Sequence, residues 1–330
     1  LMRKRGWAIL ESKRNLGGEQ LLKDRFIAAL QQNNLAEMRK VPKADLHNHS
    51  TRGGNKRYIE KWCGTKIPDC PKFRDLHEMN QWNAINLKRL LPGRPGYEKR
   101  IEAAFEQAKM DGVHLLHMSV TIGEEALFDN SAEKLVYAIQ DIHQRVAPEV
   151  IFIPEIAFLT YTPIDETSEK LDQFLELNYF KSMDIFGDEF AVPAFKKVFR
   201  KAKDKGLILK AHVGEFGTAE LVRQAAEVLE LDQIQHGIAA ASSPQVMKWL
   251  SDQQIQLNIC PTSNILLSRV ENYQTHPIRI LYDHGVRVTV NSDDMLIFDQ
   301  SVSQEFFNLY HAGLFSAEEL NEIREDAFAN

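Results

Sequence analysis

The sequence predicts a (β/α)8 TIM barrel with an N-terminal helical extension and a helical lid insertion after the first strand. Three observations carry that expectation. Eight short apolar runs recur along the chain, and most are followed by a segment with helical spacing. Several of these runs also end in ionisable residues, as strands do where they open onto the C-terminal rim of a barrel. A doubly wound parallel sheet is the alternative architecture.

The first element is a helix. Residues 19–39, EQLLKDRFIAALQQNNLAEMR, place Leu22, Phe26 and Leu30 four apart, which gives one apolar stripe for packing against the outside of the main domain. Residues 1–42 are thus expected as an extension and residues 43–330 as the barrel. The strand candidates then follow in order: ADLHNH, VHLLHMSV, EVIFIPEIAF, FKSMDIFG, LILKAHVG, DQIQHG, IQLNIC and VRVTVNSDD. Between them lie readable helix starts. Ser131 precedes the stripe Leu135, Ile139 and Ile142, and Thr218 precedes Leu221, Val222, Ala225 and Val228. Ser243 is followed by Pro244 at the first helical position. Residues 53–100 form a long excursion carrying Tyr58, Trp62, Phe73, Trp82 and Tyr97. It is either a lid that walls a pocket or a decorating helical cluster.

At 44% hydrophobic residues the chain can bury a large core, and a formal charge of -6 with pI near 6.0 argues against a nucleic-acid or membrane-surface binder. The expected partner is a small molecule. Only Cys63, Cys70 and Cys260 are present, the usage of a reduced intracellular protein. With no signal-like or membrane-spanning run, a cytoplasmic location is expected, and the leading Leu1 suggests a piece of a longer chain.

His47 and His49 lie two apart, so on a strand both imidazoles face the same way and can converge on one ion. Later strands end in His212 and Glu215, in His236, and in Asp293 and Asp294. Singly, each has an ordinary explanation: a satisfied core histidine, an acid at a helix start, a capping aspartate. Together, on four strand ends, they read as a metal centre with nitrogen and oxygen donors suited to zinc.

These residues resemble the adenosine deaminase-like family of the metal-dependent amidohydrolase superfamily. The resemblance rests on HNH, MDIFGDE, HVGE, QHG, CPTSN and NSDD, in the family's order from about residue 43 onward. It implies a hydrolase acting on C–N bonds of cyclic amidines, converting an aminopurine or its nucleoside to the oxo compound and ammonia. Adenosine leads, with inosine as product; adenine or a modified adenine is the alternative. By the same resemblance His47, His49, His212 and Asp293 hold one zinc ion per chain, another divalent ion such as iron being the alternative. Glu215 protonates the purine ring, and His236 and Asp294 orient the attacking water and take up its proton. His49, Thr51, Gly187 and Asp294 meet the substrate, while Ser263 and Asn264 shape the loop after the seventh strand.

The sequence departs from the family pattern in three places. Ser50 and Thr51 stand where adenosine-type members carry a leucine and a ribose-binding aspartate and adenine-type relatives commonly a glutamate, Ser119 lies nearest the place of an arginine on the second strand, and Met295 replaces a frequent proline. Arg52 and Arg57 either greet a carboxylate or phosphate or are solvated loop residues. Two rivals stand beside the deaminase: a phosphoesterase of the polymerase-and-histidinol-phosphatase type, which would need more metal ions, and a catalytically silent binding or signalling member of the fold. The signatures of cytidine-type zinc deaminases and helical metalloproteases do not occur.

Overall fold

Eight parallel strands run in the order in which they occur along the chain: β1 (Lys43–His49), β2 (Val113–Thr121), β3 (Ile151–Leu159), β4 (Ser182–Phe186), β5 (Ile208–Val213), β6 (Gln233–His236), β7 (Gln256–Ile259) and β8 (Arg287–Val290). The computed structural model describes residues 16–329. Among the described residues each strand pairs only with its sequence neighbours, and the ring closes where the segment after β8 returns to β1, through the bridge Asn48–Asp293 and the bond from Asp293 N–H to the His47 carbonyl at 3.0 Å. This is the (β/α)8 barrel, and all eight predicted strands are present.

The predicted helix starts cap as their chemistry requires. Ser131, Thr218 and Ser243 each accept the backbone N–H three residues on, from Lys134, Leu221 and Val246. The N-terminal helix is shorter than predicted, Leu16–Gln31 followed by the turn Leu35–Met38, because Asn33 takes a left-handed conformation at φ 51°. Phe26 on its apolar stripe packs edge-on against Phe306 at 5.2 Å, and the Arg324 guanidinium covers its face. Residues 1–15 of the predicted extension lie outside the described residues.

The excursion after β1 holds helices Lys56–Cys63 and Leu76–Asn83 and passes into the long helix Gly93–Met110, which leads into β2. It carries its own small core, in which Ile59, Phe73, Met79 and Leu87 pack with Leu267 and Leu296–Phe298 from the loops after β7 and β8. The insertion is thereby bound to the C-terminal rim.

Candidate active site

At that rim the ends of β1, β5, β6 and β8 meet. His47 and His49 are buried on one face of β1, and His47 Nε2 lies 3.0 Å from His212 Nε2 at the end of β5. Asp293 Oδ1 is 3.2 Å from His49 Nε2 and 3.7 Å from His47 Nε2. Donors about 2.0–2.1 Å from a tetrahedral cation lie about 3.3 Å apart, so this spacing suits one ion. The chemistry of the donors agrees. Two imidazole nitrogens facing each other at 3.0 Å must share either a proton or a cation. Three nitrogens and a carboxylate oxygen make a set that zinc takes readily.

The protonation states follow from burial and neighbours. Burial holds His47 well below its ordinary value, against the pull of Asp293 and with the help of the other histidines. Burial also works against a charged His212, yet Asp184 outweighs it and raises the group to about 9, its Oδ2 lying 3.0 Å from His212 Nδ1. Asp293 is held well below the carboxylate range, since His47 and His49 overcome the cost of burial. Glu215 goes the other way: burial, then Asp293 and Glu189, push it well above 4.5, toward the protonated form. Asn264 donates to Glu215 Oε1 at 3.0 Å, which leaves Oε2 to carry the acid proton.

Asn264 also donates to His236 Nδ1 at 3.2 Å. Burial lowers His236 to about 3, so its ring is neutral and its proton sits on Nε2, which faces Glu215 Oε2 at 3.5 Å and Asp293 Oδ2 at 3.9 Å. His236 therefore presents a donor to the cavity. The Asn264 orientation is itself set by His276, whose Nδ1 accepts from Ile278 N–H at 3.1 Å and whose Nε2 faces Asn264 Oδ1 at 3.4 Å. His236 and Asp293 both hold left-handed backbones, φ 65° and 56°, a local strain of about 1 kcal/mol or more that places their side chains on the rim.

These groups open on a cavity of about 350 Å³, within the range of small-molecule sites. Leu159, Phe186 and Phe216 give it apolar walls, and Leu76, His77, Met79 and Asn80 of the insertion close one side. Gly187 lines it with φ 123°, where an added Cβ would stand 2.5 Å from Thr160 Oγ1, so only glycine fits. Among the expected residues one is placed differently. Thr51 does not line the cavity: the turn in which Arg52 and Gly53 N–H both bond the His49 carbonyl carries Thr51 aside and presents Arg52 instead. Arg52 Nε lies 2.9 Å from Asp294 Oδ1, while Arg57 is exposed to solvent.

Sequence reasoning missed several supports. Asp184 behind His212 and Glu189 beneath Glu215 both lie within the quoted MDIFGDE, but nothing in a strand pattern says which neighbour an acid will face. Ser119, noted only for what it replaces, meets His49 Nδ1 at 2.7 Å, and Asn264, read as a loop former, reaches Glu215 and His236. Cys260 touches His47 on the far ring nitrogen, at 3.3 Å, behind the nitrogen that faces His212.

Comparison with known proteins shows the family. A family model described as adenosine deaminase matches residues 102–330. A putative adenosine/adenine deaminase of Treponema pallidum is 30% identical over 292 residues, covering 87% of this chain and 98% of that protein. An adenine deaminase of Psychrobacter cryohalolentis is 37% identical over 161 residues, 47% of either chain. The crystal structure of adenine deaminase from Arthrobacter aurescens superposes with a TM-score of 0.75 at 24% identity, over 87% of this chain and 92% of that one, a likeness of fold.

Proposed function

The chain belongs to the adenosine deaminase family and is a hydrolytic deaminase of an aminopurine, and from that premise we propose that its substrate is the free base adenine, converted with water to hypoxanthine and ammonia. The observation that carries the deaminase chemistry is Glu215, a buried carboxylic acid facing three histidines and an aspartate across one cavity. The preference for the base rests on Thr51, which offers no acidic contact for a sugar and does not reach the cavity. Adenosine is the second reading, favoured by His77 and Asn80, polar groups on the insertion wall that can meet ribose hydroxyls.

In this reading His47, His49, His212 and Asp293 would hold one zinc ion. A bound divalent cation supplies Lewis-acid activation of water at neutral pH. The protein's own groups do the rest. Gly187 lets the purine edge approach the backbone closely, and Glu215 Oε2 gives its proton to the ring nitrogen beside the amine-bearing carbon. Its partner Asn264 keeps Oε1 out of that exchange. His236 Nε2–H orients the attacking oxygen, and Asp294, pushed up by burial against the pull of Arg52, accepts the proton that oxygen releases. Asp294 then returns its proton to the amine, the C–N bond breaks to release ammonia, and the proton left on the new oxygen restores Glu215 as that oxygen becomes the carbonyl.

The test is ammonia release by zinc-loaded protein from adenine, adenosine, deoxyadenosine, AMP, methylthioadenosine, N6-substituted adenines, guanine and a pterin. Adenine should turn over best; faster release from adenosine would move the assignment to the nucleoside. Glu215→Gln should lower turnover by roughly 10²-fold to 10⁴-fold with zinc retained, and near-normal turnover would remove Glu215 from its role.

A further inference from the structure

The amides of the loop that carries Glu215 are held by a side chain from another loop. Gly214 N–H and Gly217 N–H donate to Glu189 Oε2 at 2.6 and 3.0 Å, and Glu215 N–H and Phe216 N–H donate to Glu189 Oε1 at 3.0 and 2.7 Å. Four consecutive amides thus converge on one buried carboxylate, a nest of the kind that otherwise binds anions, closed here by a side chain from the loop after β4. The same loop after β4 carries Gly187 into the cavity. Space at the contact is tight, since a Cβ on Gly217 would stand 2.7 Å from Glu189 Oε2.

We propose that Glu189 is a positioning residue for the deamination: it clamps residues 214–217 from outside their own strand, and so sets the Glu215 carboxyl against the cavity and in register with Asn264. This rests on the reading of Glu215 as the acid. All four hydrogen bonds given to the Glu189 carboxylate come from the backbone that bears the reacting group. It also lies beside Glu215, adding to the burial and the Asp293 charge that raise that group.

Glu189→Gln is the direct test. The amide keeps the shape and one acceptor oxygen, but its NH2 faces two N–H donors that it cannot accept. In the zinc-loaded full chain, with the best substrate of the panel, kcat should fall about 10-fold to 100-fold. KM should stay within about threefold and zinc should remain at one per chain. Hydrogen exchange at the amides of 214–217 should quicken at least about tenfold while the amides of β5 stay unchanged. Gly217→Ala, which pushes a methyl group onto Glu189 from the other side, should act in the same direction and decides the matter if the Gln variant does not fold. Unchanged kcat or unchanged exchange in both variants would overturn the proposal, as would loss of zinc in step with kcat, which would make Glu189 a general strut. Glu215→Gln measured in parallel separates the premise: activity retained there removes the acid itself, and with it the role of its clamp.

Discussion

At the scale of single residues, the second contact of each proposed ligand decides what the first can do. His212 illustrates this. Among the described residues Asp184 Oδ2 and His212 Nδ1 have no other hydrogen-bond partner, and their pairing helps raise the imidazole to about 9. The sign follows from linkage. A histidine raised above its unfolded value of 6.5 stabilises the protein fully below that pH, and the contribution is lost as pH rises through about 9. A cation bound at Nε2 must displace that proton. Zinc binding is therefore expected to release a proton near pH 7.5, and apparent affinity should rise about tenfold per unit toward pH 9. Calorimetry in buffers of different ionisation enthalpy measures the release; a pH-independent affinity would show that His212 binds no proton to displace. Asp184→Asn should weaken zinc by about 10-fold to 100-fold and shrink the proton release. Asp184 was not legible as a partner in the sequence, because its side chain meets one from the next strand and strand periodicity says nothing about that encounter.

At the scale of elements, strands and caps were read directly, since apolar runs and Ser or Thr starts act through near neighbours in sequence. Boundaries moved where a single backbone angle intervened, as at Asn33. A cap can also bind more than its own helix. Ser301 begins the helix Val302–His311 with a capping box, its Oγ bonded by Gln304 N–H at 3.4 Å and its own N–H bonded to Gln304 Oε1 at 2.9 Å. The same hydroxyl donates to the buried Asp111 at 2.9 Å, at the entry to β2. Ser301→Ala should therefore cost about 1–3 kcal/mol, at the upper end of a cap or above it, because Asp111 loses a partner in addition. Chemical denaturation reads this as a shift in midpoint with the slope unchanged. A cost below about 0.5 kcal/mol would show that water replaces the hydroxyl at Asp111.

At the scale of the whole molecule, the barrel interior beneath the site is polar, and one ammonium ties it together. Lys210 on β5 is fully buried; its Nζ reaches the Leu46 carbonyl on β1 at 2.8 Å, His117 Nδ1 on β2 at 2.9 Å and Glu155 on β3 at 2.9 Å, and Glu155 also accepts from Ser182 on β4 at 2.6 Å. Lys210→Met leaves the Glu155 carboxylate without its cation and should destabilise the fold by about 3–5 kcal/mol; Lys210→Met combined with Glu155→Gln should recover a large part of that loss in the same unfolding experiment. Equal instability of the single and double variants would mean that packing and not charge decides. None of this cross-barrel network was predicted, although every member sits on a correctly predicted strand. By itself the sequence determined the eight βα units and the strand ends followed by His47, His49, His212, Glu215, His236 and Asp293, because these depend on periodicity and short spacing that local backbone geometry enforces; the role of Glu215 as an acid came from the family resemblance alone. Only the tertiary structure decided that Arg52 and not Thr51 faces the cavity, that Asn264 and Glu189 serve Glu215, and that one lysine joins four strands. Those contacts are made between segments far apart in the chain, and their distances are settled by barrel closure.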